Sequence, residues 1–348
     1  MTHVAGELGG WAMKTLLQLG SLALVLSGGL AQAGTLDTVR QRGVLKCSST
    51  MGTPGFSIAD ATGRHRGLDV DFCRAVATAV FGDPEKVMIV PLPAAARFTA
   101  LQSGEVDILF NTTTWTMGRE TTNGILFAAV TYYDGQGIMV RSGEVKSGKE
   151  LNGATLCTNQ GSTTELNLTD FFRSNNLKNE IVAFASQEEA LQGYQAGRCD
   201  AFSSDRSVLY AFRSKLTEPQ KHTVLPDTLS KEPLGAAVRQ GDDPWYNIVR
   251  WSAYAMHAAE EFGLTSSTVE QAAASTKDPN VLRLLGREGA IGESLGLSKD
   301  WALNIIRKVG AYNEVFDRNI GKDSPLKIER GLNASWKQGG LHYAPPIR

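Results

Sequence analysis

Between Asp107 and Glu120 the chain reads Asp-Ile-Leu-Phe-Asn-Thr-Thr-Thr-Trp-Thr-Met-Gly-Arg-Glu. A short apolar run, Ile108 to Phe110, is followed by Asn111, Thr112, Thr113, Thr114 and Thr116, with a single cation at Arg119. Hydroxyls and free backbone N–H groups at a strand end, beside one guanidinium, suit an anionic head group. Arg can grip a carboxylate through two parallel hydrogen bonds. The same residues also make an ordinary polar turn with Arg119 in solvent. A second stretch offers related chemistry: in Asn159-Gln160-Gly161-Ser162-Thr163-Thr164-Glu165, the glutamate stands three residues after Ser162, the spacing of a capping box. A helix start of this kind presents unpaired N–H groups and a partial positive charge to an anion. Plain capping accounts for the same residues and, taken alone, is the simpler reading.

The elements that must position these stretches follow from periodicity and punctuation. Val44–Cys47 reads as a strand, Cys73–Phe81 as a helix stopped by Gly82 and Pro84, and Val87–Val90 as a second strand. Ala94–Ser103 is a helix closed by Gly104, and Val106–Phe110 is a third strand. The second half repeats the alternation: strand Thr155–Cys157, helix Leu166–Phe172, strand Ile181–Phe184, helix Gln187–Ala196 and strand Cys199–Phe202. Ser203-Ser204-Asp205 then leads into a helix over Arg206–Arg213. Strands alternating with helices predict an α/β protein with mainly parallel sheets. After a last strand at Leu234–Val238, the chain turns helical, with a long helix over Pro244–Phe262. The Gly-punctuated remainder carries no chemistry of its own and is expected to pack on the first half as reinforcement.

A chain of 348 residues has length for two cores, and 20% charged with 42% hydrophobic residues is an ordinary globular balance. A net charge of −1 gives no electrostatic case for nucleic acid or an anionic membrane surface. Near the N-terminus, Lys14 precedes a mostly apolar run from Leu16 to Leu30 that ends in Ala31-Gln32-Ala33. This is the pattern of a secretory signal peptide, too short for a membrane span of about 20 residues. Residues 1–12 hold Glu7 and no Lys or Arg, so Met13 is read as the start, with cleavage after Ala33. Export makes disulfides of Cys47, Cys73, Cys157 and Cys199, which allow three pairings. The local pairing, Cys47 with Cys73 and Cys157 with Cys199, places one bridge in each half and would stabilise each by roughly 3–4 kcal/mol. Zinc is the weaker alternative: there is no CxxC, and the five histidines are scattered.

Assembled, these residues resemble the extracytoplasmic amino-acid-binding proteins of ABC importers, the family-3 solute-binding proteins. Gly67-Leu68-Asp69-Val70-Asp71 looks like that family's signature after its first strand. Arg97 to Arg119 matches its pocket segment without gaps, and Gln160–Thr163 and Ser204-Asp205 match its second-lobe ligand loops. The resemblance covers roughly residues 36–262. The tail, with Gly331-Leu332-Asn333 and Tyr343-Ala344-Pro345-Pro346, looks like the larger subgroup serving general L-amino acid transporters.

The resemblance implies a two-lobed periplasmic-binding-protein fold (type II), joined by two hinge crossings, with a helical C-terminal tail. Residues 34–136 and 237–348 would form lobe 1, residues 137–236 lobe 2, with crossings near 135–140 and 231–237. It implies capture of L-amino acids, broadly and including glutamate and aspartate, and delivery to ABC permease subunits by a periplasmic monomer without cofactor or metal. Arg119, with Thr112, Thr114, Ser162 and Thr163, would hold the ligand α-carboxylate, and Asp205 the α-ammonium. Arg97 matches an arginine that takes a distal carboxylate in relatives; a solvated helix-start arginine is the alternative. Gln187 would reach the pocket. Many relatives stack an aromatic ring on the ligand from the first loop, where this chain has Thr53-Pro54, while Phe56 is read as loop packing. Two rival functions remain. A dehydratase of the prephenate or arogenate type shares the scaffold, but no histidine near these loops offers a general base. A ligand-loaded partner of a membrane sensor is the other.

Overall fold

The computed structural model describes residues 34–143 and 145–348, so the expected export signal at 1–33 lies outside the described residues. In chain order the elements that matter here are Leu45–Ser49 (β1), Leu68–Phe81 (α1), Val87–Pro91 (β2), Arg97–Gln102 (α2) and Ile108–Leu109 (β3). Met117–Thr122 (α3), Ile125–Arg141 (β4), Ala154–Asn159 (β5), Thr163–Ser174 (α4) and Asn179–Phe184 (β6) follow. Gln187–Gln195 (α5), Ala201–Asp205 (β7), Arg206–Arg213 (α6), Lys231–Arg239 (β8) and Asp243–Glu261 (α7) complete the two α/β lobes.

The strands run β2-β1-β3-β8-β4-β7-β5-β6. β1 pairs in parallel with β2 and β3, and β5 in parallel with β6 and β7, as expected for strands separated by helices. The long strands β4 and β8 are antiparallel to their neighbours and link the two halves. β4 pairs with β8 as far as Gly135 and with β7 from Gln136 onward, so one strand changes partners between adjacent residues. There the sheet passes from one lobe to the other. The second crossing lies beside it, where the Leu229 N–H donates to the Gln136 carbonyl just before β8 begins.

Each lobe closes its own core. In the first, Phe72 of α1 stacks on Phe110 at 5.6 Å, and the same apolar cluster takes in Trp245, Trp301, Ile305, Tyr312 and Phe316 from the C-terminal helices. The C-terminal helices therefore share one apolar core with β1, α1 and the end of β3. In the second lobe Met139, Tyr194, Phe202 and Phe212 pack on one side of the sheet, and Ile138, Leu156, Leu168 and Phe172 on the other. The alternation of Ile138 and Met139 between the two clusters is the period-2 pattern of a strand covered on both faces. Cys47 is bonded to Cys73 and Cys157 to Cys199, the local pairing. Each bridge ties a strand to a neighbouring segment of its own lobe, and none of the four remains as a thiol to bind metal. Among the described residues no helix is long and apolar enough to cross a membrane.

Candidate functional site

The loop after β3 is built around Asn111. Its amide nitrogen donates to the Ser48 hydroxyl at 3.2 Å and to the carbonyls of Ser49 and Leu92 at 3.0 Å each, fastening the loop to the ends of β1 and β2. Thr112 follows at φ 37°, a left-handed conformation rare for a β-branched residue. Its N–H donates to the Asp69 carboxylate at 3.0 Å. Asp69 stands in the first turn of α1, which starts at Leu68 rather than at Cys73 and so aims this carboxylate at the loop. Burial raises the Asp69 pKa to about 8, against the opposing pull of the Thr112 N–H and of Arg97. Beyond Thr112 the loop is stitched to β8: Gly235 N–H to the Thr113 carbonyl at 2.9 Å and Trp115 N–H to the Pro233 carbonyl at 2.8 Å.

Arg97 and Arg119 are both buried, so neither is the solvated side chain that the sequence left open. Arg97 opens α2, donates from Nη1 to the Asn111 carbonyl at 2.9 Å and leaves Nε without a protein partner. Burial depresses its pKa, Arg119 adds to this, and Asp205 and Asp69 oppose it. Arg119 lies in α3, a short helix in what reads as loop, capped by the Thr116 hydroxyl. Its Nη1 donates to the Thr114 carbonyl at 2.7 Å, and its guanidinium covers the Phe98 ring. Burial lowers its pKa too, with Glu232 and Asp205 as the compensating charges.

The facing wall comes from lobe 2. Ser162 caps α4, accepting the Glu165 N–H at 3.4 Å as the spacing predicts, while the Glu165 carboxylate reaches past Ser162 to accept the N–H of Gly161 at 3.1 Å, so the reciprocal half of the box falls one residue early. Gly161 sits at φ 71°, and a Cβ there would lie 3.0 Å from Cα of Ala95 in the opposite lobe, so the backbones approach too closely for a side chain. Asp205 ends β7 instead of lying in the loop after it. Its carboxyl is buried, and its pKa is pushed well above the usual range by burial and by the Asp134 and Glu232 carboxylates, with Arg97 and Arg119 opposing. Asp134 is itself raised to about 6, chiefly by burial, and accepts the Ser207 hydroxyl.

These two walls enclose a cavity of about 40 Å³, against the roughly 10–15 Å³ needed for one water. Thr112, Thr114, Arg97, Ser162, Thr163, Gln187 and Asp205 all line it; Arg119 stands one layer back, behind the Thr114 carbonyl. The lobes meet over the cavity: the Thr53 hydroxyl donates to the Gln187 amide oxygen at 2.8 Å, and Lys215 donates to the Gly52 carbonyl at 3.2 Å. Thr53 thus occupies the first-loop position with a polar contact, and Phe56 is loop packing, edge-on to Tyr132. What the sequence reading misses is Glu232. It is 1% exposed at the start of β8 and accepts hydrogen bonds from both lobes. A lone acid leading into the apolar run Pro233–Val238 was the available signal.

Residues 45–266 match the model of bacterial extracellular solute-binding proteins, family 3. The chain is 52% identical over 333 residues to the general L-amino acid-binding periplasmic protein AapJ of Rhizobium johnstonii, covering 95% of this chain and 97% of that one. It is 50% identical to the glutamate/glutamine/aspartate/asparagine-binding protein BztA of Rhodobacter capsulatus, covering 97% and 100%. Among solved structures, an ABC transporter/periplasmic binding protein from Brucella ovis with glutathione bound superposes with a TM-score of 0.89 at 49% identity, covering 91% of this chain and all of that one. With a two-lobed fold, a buried charged cleft and matches over nearly its whole length, the chain belongs to the family-3 bacterial extracellular solute-binding proteins.

Proposed function

We propose that this chain is the extracytoplasmic binding subunit of an ABC importer for L-amino acids, closing on a zwitterion between its lobes. The observation that carries this reading is the charge arrangement of the cleft. The Asp205 carboxylate reaches it from lobe 2, and the buried cations Arg97 and Arg119 approach it from lobe 1, so one small molecule can satisfy both signs. In a closed, water-poor cleft each contact is stronger than at a surface. Arg119, with Thr112, Ser162 and the backbone N–H groups at Thr114 and the start of α4, holds the α-carboxylate; Asp205 holds the α-ammonium. Arg97 and Gln187 face the ligand side chain, and Arg97 brings acidic ligands within range. The relatives named for general L-amino acids and for glutamate, glutamine, aspartate and asparagine support that breadth. The glutamyl end of glutathione carries the same free α-amino acid group, so the Brucella complex is consistent with the same head-group site.

The lobes divide at residues 136 and 237, with 34–136 and 237–348 forming one and 137–236 the other; the partner exchange in β4 supports the first boundary. The protein works as a periplasmic monomer, exported by residues 1–33 and docking on permease subunits, in line with relatives named as periplasmic. It is a binding protein and no enzyme: the cavity lining includes no histidine, and its one acid, Asp205, lies within the field of the cations Arg97 and Arg119. A thermal-shift screen of the twenty L-amino acids tests this. Saturation at about 100 times Kd adds roughly 2.7 kcal/mol of stability. Stabilisation by none of them, with turnover of prephenate, would place the chain among the dehydratases.

A further inference from the structure

Glu232 gathers donors from three separate parts of the molecule. Its Oε2 accepts the Thr114 hydroxyl of lobe 1 at 2.5 Å and the Thr163 hydroxyl of lobe 2 at 3.0 Å. Its Oε1 accepts the Asn167 amide of α4 at 2.8 Å and the hydroxyl of Ser230, at the crossing itself. A carboxylate only accepts, and a threonine hydroxyl has a single proton to give. While Thr114 and Thr163 both donate to Glu232, neither can donate to anything in the cavity they line; each has only lone pairs left to offer there. The two hydroxyl oxygens are themselves 3.3 Å apart.

We infer that Glu232 is a positioning residue of the cleft, fixing the Thr114 and Thr163 hydroxyls as acceptors when the lobes are shut. The inference rests on the amino-acid reading of the site and sharpens it. Threonine hydroxyls held this way favour a guest that brings N–H donors, an ammonium above all, and they stand on the same cavity as Asp205. They do not serve as hydroxyl donors to the ligand carboxylate, so that grip falls to guanidinium and backbone N–H groups. Because Thr114 and Thr163 belong to different lobes, the arrangement assembles only on closure. Ligand head-group recognition and lobe closure are then one event at Glu232. The Arg119 guanidinium, for which Glu232 is the leading compensating charge, keeps this inward-facing acid from standing uncompensated.

The test is a double-mutant cycle on the full-length mature chain, stripped of ligand and titrated with L-glutamate by calorimetry. Glu232→Gln is isosteric, but its amide must set an NH₂ against one of the two donor pairs. Thr114→Val keeps shape and removes the hydroxyl. Thermal unfolding of each unliganded variant confirms that it folds. Glu232→Gln is expected to weaken binding about tenfold or more when Thr114 is present and by less than about threefold beside Thr114→Val. Unchanged affinity in Glu232→Gln, or the same loss in both backgrounds, would overturn the assignment. If Glu232→Gln fails to fold, Glu232→Asp replaces it, with the same non-additivity required. Failure of the unmodified protein to bind L-glutamate or any other amino acid would instead overturn the reading of the cleft, and this inference with it.

Discussion

The Asp69 carboxylate accepts the Thr112 N–H at 3.0 Å and holds that threonine at φ 37°. A conformation of this kind costs on the order of 1–3 kcal/mol and persists only where its surroundings enforce it. Asp69 is 3% exposed, and among the described residues the Thr112 N–H is the donor its carboxylate meets, so its role is to shape the ligand loop. Asp69→Ala leaves a buried N–H unpaired and is expected to lose about 1–3 kcal/mol in chemical denaturation, with weaker ligand binding. Adding Thr112→Gly, which relieves the conformational strain, should recover part of that stability. Unaltered stability in Asp69→Ala would show that the loop holds itself.

Ligand binding should release a proton. Burial and the neighbouring Asp134 and Glu232 carboxylates hold the Asp205 pKa well above the usual range in the free protein. A bound ammonium favours the ionised form and pulls that pKa down. The lower the pH beneath the free value, the more binding must expel a proton, so affinity falls as pH falls. Calorimetry at one pH in buffers of different ionisation enthalpy reads the released proton directly. Heats independent of buffer would show that Asp205 is already ionised or is not the ammonium partner.

Acid should weaken the fold through its C-terminal part. His257 stacks on His342 at 4.2 Å with neither ring nitrogen bonded to protein, and His342 is hydrogen-bonded to the Tyr312 hydroxyl at 3.0 Å. Burial pushes the His257 pKa down to about 3, helped by Arg330, and burial, His257 and Arg330 push down that of His342. The unfolded chain binds protons near the ordinary value of about 6.5 while the folded chain refuses them. Stability is therefore intact above that value and lost progressively as pH falls from about 6.5 toward 3. Between pH 7 and 5 His257 alone accounts for about 2 kcal/mol. His257→Phe should reduce the drop in unfolding free energy over that interval; an identical drop would locate the acid sensitivity elsewhere.

Arg97 separates ligand classes. Arg97 lines the cavity with its Nε lacking a hydrogen-bond partner among the described residues, and an acidic ligand side chain would give its guanidinium an acceptor. Arg97→Ala is expected to weaken L-glutamate by about tenfold more than L-leucine in competition titrations, since hydrogen bonds to charged groups carry roughly 1.5–3 kcal/mol. Equal losses would confine Arg97 to supporting the Asn111 carbonyl.

Much of this could be read in the residues, because the signals are local. Gly82 and Pro84 stop α1, the Ser162–Glu165 box starts α4, and the apolar spacing from Pro244 to Phe262 marks α7, observed at Asp243–Glu261. What escaped reading depends on distant partners. β4 is a strand of 17 residues whose hydrogen-bonding neighbour changes midway; the family resemblance sets a crossing near 135–140, but no local signal in Tyr133-Asp134-Gly135-Gln136 shows that one continuous strand makes it. α3 is short, with the weak helix formers Gly118, Thr121 and Thr122 making half of it, and is held by a cap and by the buried arginine inside it. Glu232 is an ordinary acid until four donors from both lobes and the crossing surround it. The tail showed no chemistry in sequence, yet the Asn333 side chain accepts the Tyr133 N–H at 2.7 Å and donates to the Tyr133 carbonyl at 2.9 Å. It thereby braces β4 two residues before the crossing.

The most direct measurement is calorimetric titration of the ligand-stripped protein with L-glutamate, L-glutamine and L-leucine, repeated on Asp205→Asn. The unmodified protein is expected to show saturable one-to-one binding, and the variant to lose at least about tenfold in affinity or all measurable heat. Binding that survives Asp205→Asn undiminished, or no binding of any amino acid by the unmodified protein, would contradict this expectation.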